Sequence, residues 1–201
     1  MWPWEHAAVA YLAYSLSVRA ATGSAPREWP VLAVVFGSQF PDLLDKPAEW
    51  VFGVLPSTGV AHSVFTAIPL TLVLLAVGYR RGWFRVSVGF SLGYLLHLPG
   101  DVYYGVLLGE APAYHKVLWP LVPGNVQSDI DLLALLTRFF DRYAEFILSP
   151  AGVPYLLGEI ALVGGALVFW LADGRPGLGV LRRLLWRLVG RPAGVGRPED
   201  R

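Results

Sequence analysis

From Ser63 to Tyr79 the chain runs 17 residues without a charge, then closes on Arg80-Arg81-Gly82. A run of that kind reads as a helix, because only a helix satisfies its own amides within the segment. Two further apolar runs, 84–99 and 155–172, carry one or two ionisable side chains each. Only 15% of the residues are charged, against roughly 25% in a soluble domain. Mean hydropathy is +0.50, and eight Trp and nine Tyr are available for aromatic belts at a bilayer surface. The fold class expected is therefore all-α: a polytopic helical membrane protein with about four to five membrane-embedded helices plus amphipathic helices.

The segments follow from the same pattern. A first helix is expected over 6–21, and 30–40 is a second, shorter apolar segment. Pro41 opens a new stretch, read as a short helix and a loop up to Thr58. Gly89 and Gly93 within 84–99 are a small-xxx-small pair that lets helices approach closely. The stretch 101–126, with Pro112, Pro120 and Pro123, reads as a loop or re-entrant segment. Residues 128–148 form an amphipathic helix with Leu132, Leu135, Leu136, Phe139, Phe140, Tyr143 and Phe146 on its apolar stripe, and Ser128 with Asp131 resembles a capping box. Residues 1–174 are thus one helical membrane domain. Residues 175–201 are a basic tail, with a membrane-surface helix over 178–189 and a disordered end.

The composition also excludes. There is no Cys, so disulfides and thiolate metal sites are ruled out. A net charge of +1 without a polybasic run argues against nucleic acid. The opening Trp2-Pro3-Trp4-Glu5-His6 lacks the basic region of a signal peptide.

Three of the four histidines stand at the ends of apolar segments: His6, His62 and His97. Asp42, Asp45 and Asp101 stand at segment ends too. If the basic turn at 80–85 is cytoplasmic, one topology puts all six on the extracytoplasmic face and the Arg-rich tail inside. Ionisable groups beside hydrocarbon are costly unless paired, wet or bound to an ion. Each group also has an ordinary reading. Pro99 and Gly100 can end the helix between His97 and Asp101, leaving a helix-end histidine bonded to an acid. Asp42 and Asp45 follow a proline as helix-start acids do, and Lys46 can neutralise Asp45. His6 and His62 can be interfacial or capping residues. Glu5 is an exposed residue or an extra ligand, and His115 an exposed loop histidine. Taken together, imidazoles and carboxylates suit zinc, iron, manganese or nickel. Six donors suffice for one ion or for two sharing a carboxylate.

At these residues the chain resembles the YdjM-like family of membrane-bound metal-dependent hydrolases. The resemblance covers roughly residues 4–121 and rests on four stretches. They are a first helix beginning with His6, then Gly37-Ser38-Gln39-Phe40-Pro41-Asp42-Leu43-Leu44-Asp45-Lys46-Pro47, then Ala61-His62-Ser63-Val64, and Gly93-Tyr94-Leu95-Leu96-His97-Leu98-Pro99-Gly100-Asp101. Trp119-Pro120 matches a downstream Trp-Pro. The resemblance implies His6, Asp42, His62, His97 and Asp101 as metal ligands. Asp45 comes one residue later than the second carboxylate of many relatives, and Ser57–Ala61 stands where many carry His-Arg-Gly.

The leading expectation is a multi-pass cell-membrane hydrolase. It would hold one or two divalent metal ions, zinc first, and act on a phosphoester or lipid-linked ester. Asp42 or Asp45 is the candidate general base. Membrane lipids and a small-molecule or lipid substrate are the expected partners, and no nucleic acid. The alternatives are a membrane protein with a structural His/Asp ion site or polar network, and a transporter-like protein. Charges at segment ends, not mid-span, argue against the last.

Overall fold

The structure, a computed structural model, describes residues 1–127 and 130–188. Among them the chain is all-helical. The helices are α1 (Pro3–Thr22), α2 (Glu28–Trp50), α3 (Val64–Arg81), α4 (Phe84–Leu107), α5 (Leu132–Ile147), α6 (Gly152–Ala172) and α7 (Leu178–Leu188), with a 3-10 turn at Tyr114–Val117. α1 and α3 stop on Gly23 and Gly82, whose φ of 68° and 78° is the left-handed conformation that ends helices.

Two helices run further than their prolines suggested. α2 does not break at Pro41 but continues through Pro41 and Pro47 to Trp50. α4 passes Pro99 and Gly100 and ends at Leu107, so 101–107 is helix and not loop. A proline inside a helix removes one hydrogen bond and crowds the carbonyl one turn back. Tertiary packing offsets that cost at Pro41, which is fully buried, with Asp42 and Asp45 buried on the same face. α5 starts at Leu132, with Asp131 accepting from the Ala134 amide at 3.0 Å. The expected partner Ser128 lies outside the described residues, as does the tail beyond Leu188.

α2 and α4 form the central crossing. The expected small-residue contact is present: a Cβ on Gly89 would lie 2.5 Å from the Pro30 carbonyl oxygen, and one on Gly93 2.8 Å from the Ser38 nitrogen. α1 and α6 pack on one side around Ala10, Tyr11, Val34 and Ala166. α3 and the 3-10 turn pack on the other around Ala67, Tyr94, Leu98 and Val117.

Two helices, α3 and α6, have the length and apolar composition to cross a bilayer, where the sequence suggested four to five. Both turn large apolar side chains outward, as Leu72 and Val168 do. α1, α2 and α4 are long enough but spend their inner faces on carboxylates and imidazoles, which lowers their hydropathy. Polar clasps hold α6 to α1. At one end Asp173 accepts from Tyr11, from Ser15 at 2.6 Å and from Arg19 Nε at 2.8 Å. At the other, Glu159 accepts from Trp4 Nε1 and from Tyr143 at 2.6 Å. Glu5 is neither exposed nor part of the histidine cluster. It is buried and accepts from the Trp2 amide and the Tyr155 hydroxyl.

Candidate metal centre

The continuity of α2 is what builds the site. With Pro41 inside the helix, Asp42, Asp45 and Glu49 recur about once per turn on one face. Glu49 and Asp45 then organise the loop that follows. Glu49 accepts from the Ser57 amide at 3.1 Å. Asp45 accepts from the amides of Gly59 at 3.0 Å, Ala61 at 2.9 Å and His62 at 3.0 Å. The Tyr94 hydroxyl, fully buried, donates to the Ala61 carbonyl at 2.6 Å. Ser63 caps α3 and donates to the carbonyl of Trp119, which ties the Trp119-Pro120 stretch to the head of that helix. His62 is left with no conformational choice.

Two accepting groups set the tautomers of the histidines. The His62 Nδ1–H donates to Asp45 Oδ2 at 2.9 Å, and the His97 Nδ1–H donates to the Ser38 carbonyl at 2.7 Å. A carboxylate and a carbonyl can only accept, so each Nδ1 carries a proton and each Nε2 is the nitrogen left to face the cluster. The two Nε2 atoms face each other at 3.2 Å. Asp42 Oδ1 lies 3.3 Å from the first and 3.7 Å from the second, and Asp101 Oδ2 lies 3.6 Å from both. The uninterrupted α4 places Asp101 one turn beyond His97 and on the same face.

These four residues fit a cation. Their donor atoms all lie within 4.8 Å of one another. Four ligands at about 2.0–2.1 Å from a tetrahedral centre stand about 3.3–3.4 Å apart, close to the separations seen here. Asp42 Oδ1 is buried and has no hydrogen-bond partner, while Asp42 Oδ2 accepts from Lys46 Nζ at 2.6 Å. A buried carboxylate oxygen without a hydrogen bond is costly; its nearest positive group is the His62 imidazole at 3.3 Å, and a divalent ion would replace that pairing. Lys46 thus pairs with Asp42 and not with Asp45. Burial pushes the His62 imidazole down, but the carboxylates of Asp101, Asp42 and Asp45 outweigh it and raise it to about 10. A divalent ion would meet the same carboxylates and release that proton.

The other sequence candidates stand around this cluster. His6 stacks on His97 with ring centroids 3.8 Å apart, and its Nε2 is 3.1 Å from Asp101 Oδ1, the oxygen turned away from the four. It therefore leans on the cluster through Asp101 and the His97 ring without being one of the four converging donors. Asp45, 2% exposed, has its acceptor positions filled by three amides and an imidazole. His115 is exposed in the 3-10 turn, away from the four. Sequence reasoning missed the Ser38 carbonyl and the amides of Gly59, Ala61 and His62, because backbone groups leave no mark in residue identity. It also missed Glu159, whose signal was visible as the one acid in the 155–172 run.

A family model described as YdjM inner membrane protein matches residues 1–172. No curated protein and no solved structure matches the chain.

Proposed function

Because this chain belongs to the YdjM inner membrane protein family, we propose that it is a membrane-embedded, metal-dependent hydrolase acting on a phosphoester or lipid-linked ester. Asp42, His62, His97 and Asp101 would hold the ion, and two imidazoles with two carboxylates favour zinc. When bound, such an ion supplies Lewis acidity to a water or to a phosphoryl oxygen. Asp45 orients His62 through Nδ1, and the Ser38 carbonyl does the same for His97. With its acceptors filled, Asp45 is better suited to that role than to general-base work. His6 steadies Asp101. The observation that carries the reading is Asp42 Oδ1, buried without a partner on a side chain that also lines an open groove.

A second reading has support of its own. Four protein donors already complete a tetrahedron, as closed structural sites do, whereas catalytic sites keep one position for water or substrate. Metal analysis of purified protein, followed by turnover of a chromogenic phosphodiester and of lipid phosphates with and without chelator, separates the two. The hydrolase is expected to carry metal and to lose turnover on chelation. Absence of metal from the wild-type protein sinks both readings, and metal without turnover leaves the structural site.

In the membrane, α1, α2 and α4 are proposed to embed beside α3 and α6, with the His/Asp end extracytoplasmic and the basic ends of α3 and α4 in the cytoplasm. The chain has no native Cys, so single cysteines report cleanly. Cysteines at exposed Leu121 and Tyr79 are expected to label from opposite faces of the membrane. Labelling of both from one face contradicts the topology.

A further inference from the structure

A groove of about 780 Å³ runs between α2 and α5 and reaches the candidate centre at Asp42. Its size lies within the roughly 300–1,000 Å³ of ligand sites. Trp2, Leu43, Trp50, Leu136, Phe139 and Phe140 are among the large apolar side chains that line it. α5 has no buried residue and stands over the groove on aromatic contacts, Trp50 to Phe139 at 6.1 Å and Trp2 to Tyr143 at 4.6 Å. Three charged side chains enter this apolar lining: Asp42, Lys46 and Arg142. Asp42 is committed to the cluster through Oδ1 and to Lys46 through Oδ2.

We propose that this groove holds an anionic membrane lipid bearing a phosphate headgroup with no cationic substituent, its chain between α2 and α5 and its phosphate toward Lys46 and Arg142. Two arguments select this occupant. A free phosphate has no use for six large apolar walls, whose burial against a chain is the main source of affinity. A neutral lipid has no use for a lysine from α2 and an arginine from α5 on one groove, whereas a phosphate accepts charge-assisted hydrogen bonds from both. The inference rests on the hydrolase reading for the fate of the headgroup, since Asp42 joins the groove to the cluster.

The test uses the full chain in detergent micelles and a phosphatidic acid with a photoreactive diazirine in its acyl chain. Crosslinks are expected within 43–50 and 136–146. Unlabelled phosphatidic acid is expected to compete roughly tenfold better than phosphatidylcholine, the worth of about one charge-assisted hydrogen bond. Arg142→Gln, which changes none of the four clustered residues, is expected to erase most of that preference with an unchanged melting curve. Lys46→Gln is the second variant. Crosslinks confined to other segments overturn the proposal. So does equal competition by phosphatidylcholine, or displacement by inorganic phosphate as effective as by phosphatidic acid. Labelling and turnover are read on the same samples. Labelling without turnover removes the hydrolase reading alone, and turnover without labelling removes the lipid groove alone.

Discussion

Replacing His97 by alanine is expected to abolish stoichiometric metal binding, while replacing Asp45 by asparagine weakens it without removing a ligand. His97 is 1% exposed and supplies one of the four converging donor atoms. Its loss leaves His62, Asp42 and Asp101 with one coordination position open. Asp101→Ala is expected to act similarly, since it removes a donor and also the anchor of His6. Asp45 meets the cluster through the far nitrogen of His62 and otherwise holds the backbone amides of Gly59, Ala61 and His62. Outer partners of that kind are worth roughly 10- to 100-fold in metal affinity, so Asp45→Asn should fall in that range and His97→Ala beyond it. Competition titration of the purified variants against a chromogenic zinc chelator checks the order. Equal retention of metal by His97→Ala and the wild-type protein would refute the four-residue site.

The second large effect is expected far from any ligand. Gly93→Val should unfold or misassemble the helix bundle, and Gly93→Ala should already lower its melting temperature. A Cβ at Gly93 collides with the Val34 carbonyl oxygen and comes within 2.8 Å of the Ser38 nitrogen. Both are backbone atoms of α2, so no side chain can swing aside. Overpacking costs typically 1–3 kcal/mol, and a rigid neighbour places this site at or above the upper end. The same shift moves the Ser38 carbonyl that holds His97, so metal affinity should fall together with stability. Gly165 in α6 is the control, because a Cβ there meets nothing within 4 Å. Gly165→Ala should be neutral or stabilising, given a helix preference for Ala over Gly of about 1 kcal/mol. A Gly93→Ala protein that melts like Gly165→Ala would contradict the close crossing of α2 and α4.

How much of this was readable in advance differs from element to element. α3 and α6 could be read almost to their ends, because a long, almost uncharged apolar run has one solution in an apolar medium. Gly89 and Gly93 announced a close approach without saying to what. The prolines misled. Pro41 and Pro99 carry a local preference for breaking, and local preference loses when one face of a helix is packed on both sides of the proline. That error mattered for the site as well, because Asp42, Asp45, His97 and Asp101 share faces only if α2 and α4 continue.

Residue types and their order alone decided that this chain is helical, that it suits a membrane, and that imidazoles and carboxylates gather at the ends of its apolar segments. Those are properties of period, polarity and spacing, which each stretch carries by itself. Only the tertiary structure divided the six polar side chains into four that converge, one that orients His62 and one that leans on Asp101. That division depends on which nitrogen or oxygen faces which neighbour. Distances of a few ångströms between separate helices are set by packing and by backbone carbonyls and amides, none of which is written in the identity of any single residue.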